Sequence, residues 1–155
     1  MHTLIALGRH FAPACLLVGF ALAAKPVTGA GELTVASPDE RLVARFALTD
    51  VEAAKSAPFY SVEWSGKPVV LPSRLALALK GRPLRGPFAI AGHATSGGDA
   101  TWRPLHGERA VVRDRYNQLT VVLKEVEAPN RELRLEFRAY DEGLALRYVL
   151  PAQPG

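Results

Sequence analysis

"NQLTVVLKEVEAPNRELRLEFRAYDEGLALRYVL", residues 117–150, decides the fold class. In its first third Leu119, Val121 and Leu123 point one way, while Gln118, Thr120 and Lys124 point the other. The next segment repeats the pattern, with Leu133, Leu135 and Phe137 inward and Glu132, Glu136, Arg134 and Arg138 outward. Side chains that alternate with period two describe strands packed on one face and wet on the other. Ala128-Pro129-Asn130 turns the chain once. Asp141-Glu142-Gly143 turns it again, because glycine takes a positive φ at low cost. The segment therefore predicts a three-stranded antiparallel meander.

Working back toward the N-terminus, "ELTVASPD" and "RLVARFAL" read as two short strands joined by a Pro-Asp turn. Residues 59–64 and 67–71 flank Ser65-Gly66, a compact hairpin signal. "SRLALALK" alternates Leu75, Leu77 and Leu79 against alanines. Residues 81–98 are broken by Gly, Pro and Ser, which predicts one short strand around Phe88–Ile90 followed by loop. No stretch carries a helical period. The reading is all-β, an antiparallel β-sandwich.

The first 24 residues stand apart from this domain. Arg9 and two histidines precede the apolar run Phe11–Ala24, which closes on the small residues Ala21-Leu22-Ala23, the pattern of a secretory signal peptide. The run is shorter than the ~20 apolar residues of a membrane span, and Pro13 interrupts it. Cleavage is expected after Ala23, with Thr28-Gly29-Ala30 as a second candidate. The segmentation is a signal peptide over 1–24, a flexible lead-in over 25–31 and the β-sandwich domain over 32–155. Export to the periplasm follows, with no membrane association once the leader is removed.

Cys15, the one cysteine of the chain, leaves with the leader, so the mature domain has neither disulfide nor cysteine metal site and must rely on its core. The net charge is +4, with Lys and Arg interspersed among Asp and Glu. A nucleic-acid reader needs a basic stripe, and none is present. The chain ends immediately after a well-formed strand, which implies that this strand's next neighbour lies elsewhere.

No nucleophile elbow, P-loop or H-E-x-x-H occurs. His93 and His106 lack a partner histidine at metal-ligand spacing and read as hydrogen-bonding residues of a loop or strand end. Glycoside hydrolysis needs a carboxylate pair, yet each acidic residue has a structural reading. Glu125 and Glu127 share a solvated strand face, and Glu108 lies beside Arg109 and Arg113 as an ion-pair partner. Glu132 and Glu136 alternate with arginines as cross-strand pairs, and Asp141 and Glu142 serve a tight turn. Aromatic rings stack on sugar C–H faces, and of Tyr60, Trp64, Trp102, Tyr116, Tyr140 and Tyr148 the best placed is Trp102. His106 and Arg113 lie near it in sequence, so polar groups can converge there.

The order of segments carries a resemblance. "ASPDERLVARFAL", "FYSVEWSGKPVVLPSRLALAL", "TWRPLHGE", "VVRDRYNQLTV" and "LEFRAYDEGLALRYVLP", spanning Leu33 to Pro151, resemble the N-terminal domain of glycoside hydrolase family 97. Ala76 stands where the family pattern favours Gly, Gln118 where it favours Glu, and Glu142 intervenes in the Asp-Gly turn. The resemblance implies a β-supersandwich like that of galactose mutarotase, incomplete here at its C-terminal end. It also implies an exported, calcium-assisted α-glucosidase or α-galactosidase whose catalytic carboxylates sit on a following (β/α)8 barrel. No catalytic residue and no calcium-reaching residue of the family is matched in this chain, so the chain alone is expected to be non-catalytic and without cofactor. Its partners would be the barrel and an α-glucoside or α-galactoside. Trp102, His106, Arg113, Tyr116 and Asn117 become the candidate carbohydrate-binding or barrel-interface residues. A free-standing periplasmic carbohydrate-binding sandwich and a structural interaction module remain the alternatives.

Overall fold

The structure, a computed structural model, describes residues 31–51, 54–81 and 83–153. The leader and nearly all of the lead-in lie outside them. Eight strands follow in order: β1 Leu33–Ala36, β2 Leu42–Val51, β3 Ala54–Trp64, β4 Lys67–Arg74, β5 Phe88–Trp102, β6 Val112–Glu125, β7 Glu132–Tyr140 and β8 Gly143–Val149. They form two antiparallel four-stranded sheets, β1-β2-β3-β4 and β5-β6-β7-β8, each a meander of sequence neighbours. No helix occurs among the described residues.

The meander expected over residues 117–150 is present as β6, β7 and β8. In β7 the outer residues and the core residues Leu133, Leu135, Phe137 and Ala139 alternate without interruption. Opposite them, Leu42, Ala44 and Phe46 of β2 and Val35 of β1 complete one apolar layer. The rings of Phe46 and Phe137 meet across the layer at 5.8 Å between centroids, with Tyr60 at 6.3 Å from Phe137. The β3–β4 hairpin turns at Ser65-Gly66, both at positive φ (49° and 73°), the backbone that a two-residue hairpin loop needs.

Three expectations change. Residues 88–102 form one strand of 15 residues and not a short strand followed by loop. Their glycines and Ser96 give no alternation, yet β6 pairs with them from Phe88↔Glu125 to Trp102↔Val112, with one bulge between Ile90 and Gly92. A Cβ at Gly98 would stand 2.8 Å from the Tyr116 ring, so a side chain there would have to displace that ring. Conversely, Leu75, Leu77 and Leu79 alternate outside any strand. β4 ends at Arg74, and the leucines pack on the core from a segment held by the isolated bridge Leu77↔Leu84. Alternation reports burial, and burial here needs no ladder. Finally, Glu125 is 5% exposed and not solvated. It accepts from Arg131 Nε and Nη2, each at 2.7 Å, closing the β6–β7 connection.

Cross-strand charge pairing does occur on the outer face of the second sheet. Glu136 accepts from Nε of Arg147, its direct β8 partner, at 2.9 Å, whereas Arg138 donates to Gln118 of β6 at 2.7 Å. In the β1–β2 turn, the Ser37 hydroxyl and then Arg41 hold the Asp39 carboxyl at about 2, below its ordinary 3.8. A depressed carboxyl stabilises the fold above about pH 3.8 and loses that contribution as pH falls through about 2. Asp39→Asn is therefore expected to flatten the acid limb of a circular-dichroism pH titration. An unchanged limb would remove Asp39 as a source of acid lability.

Candidate functional site

The two ends of the second sheet differ. β5 and β6 pair as far as Trp102↔Val112, but β6 and β7 pair only to Tyr116↔Tyr140. Residues 112–115 of β6 thus run past the β7–β8 turn with no β7 partner. An open cleft of about 780 Å3 occupies the step, lined among others by Trp102, Arg109, Arg113, Asp114, Asp141 and Glu142. Trp102 is 54% exposed at its rim, and Leu105, 96% exposed, tops the loop 103–111 that closes the β5–β6 hairpin.

Ion pairs order this end of the sandwich. Arg113 clamps Asp99 through Nε at 2.7 Å and Nη2 at 2.5 Å, a bidentate pairing that holds the Asp99 carboxyl below its ordinary range. Arg115 donates to Asp141 Oδ2 at 2.7 Å, and the Asp39 backbone N–H donates to Asp141 Oδ1 at 2.9 Å. Asp141 therefore joins the β1–β2 turn of one sheet to β6 of the other. Arg109 approaches Glu142 at 3.8 Å with both side chains largely exposed, a geometry that adds little stability.

The five residues singled out from the sequence occupy different places. Trp102 and Arg113 line the cleft. His106 is exposed in the loop beside it. Tyr116 packs on Tyr140 at 5.5 Å, with the Arg138 guanidinium 4.2 Å above its ring. Asn117 donates from Nδ2 to the Ala36 carbonyl at 2.9 Å, a tie between the sheets across 81 residues of sequence. His93 lies within β5 opposite Val121 and not at a strand end, its Nδ1 buried without a hydrogen-bond partner among the described residues. Glu108 is not the partner expected for its neighbours, since Arg109 and Arg113 turn to Glu142 and Asp99. The sequence reading missed Asp141, whose side chain reaches a backbone 102 residues away where a local turn bond was expected.

Chemically, the cleft combines one exposed indole face with guanidinium donors and carboxylate acceptors, a set suited to a polyhydroxylated ligand. The Arg113 guanidinium beside Asp99, and the Ser37 hydroxyl and Arg41 beside Asp39, hold both carboxyls below their ordinary range. Among the described residues no group of three or more His, Cys, Asp or Glu is placed to hold a metal ion. Asp99 and Asp141 are each paired with an arginine.

Residues 35–155 match the family model described as Glycosyl-hydrolase 97 N-terminal. Among solved structures, the chain is similar to a Glycoside Hydrolase Family 97 enzyme from Pseudoalteromonas sp. strain K8, in complexes with panose and with acarbose. The identity is 28% and the TM-score 0.72 over 79% of this chain. A β-arabinopyranosidase matches at 26% identity and TM-score 0.69 over 78% of this chain. The chain spans 18% of the length of each of these solved chains.

Proposed function

Because the chain belongs to the glycosyl-hydrolase 97 N-terminal family, we propose that it is the non-catalytic β-sandwich of an exported α-glycosidase and shapes the sugar-binding rim of that enzyme's catalytic barrel. The observation that carries this reading is the β5–β6 hairpin, which outruns its sheet and presents Trp102 and Leu105 beside a charged cleft. An exposed apolar tip next to polar groups is the anatomy of a docking edge. The panose and acarbose complexes of the similar enzyme support an α-glucoside as the ligand; an α-galactoside is the alternative. Calcium belongs to this reading only through the full-length enzyme. The catalytic acid and base likewise fall to the barrel.

The test is a titration of the purified chain with panose and acarbose, followed by NMR and by product analysis. Saturable shifts at the Trp102 indole, an affinity at least roughly tenfold weaker in Trp102→Ala and uncleaved panose are the expected results. Flat titrations would remove direct sugar contact at the cleft, and cleavage of panose would overturn the non-catalytic assignment. A free-standing periplasmic carbohydrate-binding sandwich is the second reading, favoured by a cleft that this chain lines on its own. An immunoblot of the host's exported fraction separates the two. A band several times larger than the 16.7 kDa chain supports the domain of an enzyme, and a single band near that mass supports the free-standing binder.

A further inference from the structure

Beyond the row of Gly98, Tyr116 and Tyr140, the β5–β6 hairpin is a two-stranded ribbon made of residues 99–102 and 112–115. A ribbon of two strands is marginally stable by itself and twists readily. Further along β6, Leu119, Val121 and Leu123 fasten the strand to the first sheet as core residues. Alternation continues that inner stripe with Asn117, Arg115 and Arg113. In the ribbon, polar ties therefore take the place of packing. The Arg113–Asp99 clamp joins the two ribbon strands to each other and cannot fix their direction. Among the described residues, one side-chain hydrogen bond leads out of the ribbon, from Arg115 to Asp141 at 2.7 Å.

Asp141 is placed for this bond by β7. It lies one residue beyond Tyr140, where β7 ends, and continues the inward parity of Leu135, Phe137 and Ala139. Its two oxygens serve different elements: Oδ2 accepts from the Arg115 guanidinium, and Oδ1 accepts from the Asp39 backbone N–H at 2.9 Å. Asp39 is itself fixed in the β1–β2 turn by Ser37 and Arg41. Pro38 of that turn shares a small depression with Asp99 and Arg115. The first sheet, the β7–β8 turn and the ribbon thus meet at one carboxylate. The Arg115 and Asp141 side chains are 35% and 31% exposed, so this charge-assisted bond is better shielded than the Arg109–Glu142 approach.

We propose that Asp141 is a positioning residue for the cleft: by holding Arg115 it sets the tilt of the β5–β6 ribbon, and with it the gap between Trp102 and the β7–β8 turn. Trp102 lies at the far end of the ribbon, opposite Val112. The three residues of strand from Arg115 to Val112 span about 10 Å, so a rotation of about 10° at Arg115 moves the indole by about 2 Å. Every group in the tie belongs to this chain, so it acts whatever packs against the outside of the cleft. The consequence for binding rests on the cleft's taking a sugar, whereas the tilt is a property of the unliganded chain.

The test breaks the tie from each end in the full chain. Asp141→Asn keeps an oxygen for the Asp39 N–H and removes the anion that holds Arg115, whereas Arg115→Gln leaves the bond between Asp39 and Asp141 in place. Residual dipolar couplings of the amides at 99–102 and 112–115, referenced to those of β7, read the direction of the ribbon without any ligand. Both variants are expected to change these couplings and to leave those of β2 and β7 as in the wild type. Arg115→Lys, which retains a cation for Oδ2, should restore most of the wild-type pattern. Panose should bind roughly fivefold more weakly to Asp141→Asn and to Arg115→Gln. Changed ribbon couplings in a chain whose wild type does not bind panose would uphold the positioning role and remove the sugar site. Unchanged ribbon couplings in a folded variant would overturn the inference, whatever its affinity for panose. Unfolding of both variants would also overturn it, by making the tie a requirement of the whole fold.

Discussion

Phe137→Ala is expected to remove about 3–5 kcal/mol of stability. Phe137 is 1% exposed at the centre of β7, and its ring is the one that both Phe46 and Tyr60 of the opposite sheet approach. Truncation deletes the ring and leaves a cavity between two sheets whose backbones are each fixed by their own ladders, so neither can collapse freely into the gap. Since a domain of this size is stable by only about 5–15 kcal/mol, the variant should approach the limit of folding at physiological temperature. Urea unfolding should show a lower midpoint with an unchanged slope, because the surface exposed on unfolding stays the same. Phe137→Leu, which keeps most of the volume, should recover more than half of the loss. A midpoint shift equivalent to less than about 1 kcal/mol would mean that the two sheets do not pack through this ring.

Arg131→Met is the second large effect. Glu125 ends β6 in a site 5% exposed, and the Arg131 guanidinium, with the Arg131 backbone N–H at 3.3 Å, holds both of its oxygens. The same guanidinium also donates to the Pro83 carbonyl at 3.3 Å, tying the β6–β7 connection to the segment before β5. Removing one member of a buried pair leaves a desolvated charge behind and costs about 3–5 kcal/mol. Replacing both with apolar residues avoids that cost, so Glu125→Leu combined with Arg131→Met should be more stable than Arg131→Met alone. Denaturation of the four proteins of the cycle measures this directly. Additive single losses would show that the pair is not coupled.

What the sequence made legible, and what it did not, follows from where the free energy of each segment resides. β7 and the core half of β6 are amphipathic in themselves, since every second side chain is buried, so their periodicity survives without knowledge of the partner strand. β5 is different. Its residues 92–102 contribute backbone to a ladder more than side chains to a core, and a ladder leaves no trace in composition. Leu75, Leu77 and Leu79 mislead in the opposite sense, because burial alone produced their pattern. At the candidate site, Trp102 and Arg113 could be picked out as an aromatic ring near a cation, and both line the cleft. Asp141 could not. Its role depends on a contact between two turns of different sheets, and nothing local distinguishes it from an ordinary turn aspartate.

Each of the two sheets is a run of hairpins between sequence neighbours, with no strand crossing from one half of the chain to the other. The kinetic consequence is that the long-range part of folding is concentrated in a single event. Every hairpin can zip after closing only a short loop, so the loop-closure entropy is spread over small steps. Docking of the N-terminal half on the C-terminal half is then the step that requires distant residues to meet. Until it occurs, Leu133, Leu135 and Phe137 on one side and Leu42, Ala44 and Phe46 on the other face water as two apolar plates. The interval before docking is the one in which this chain is most exposed to aggregation.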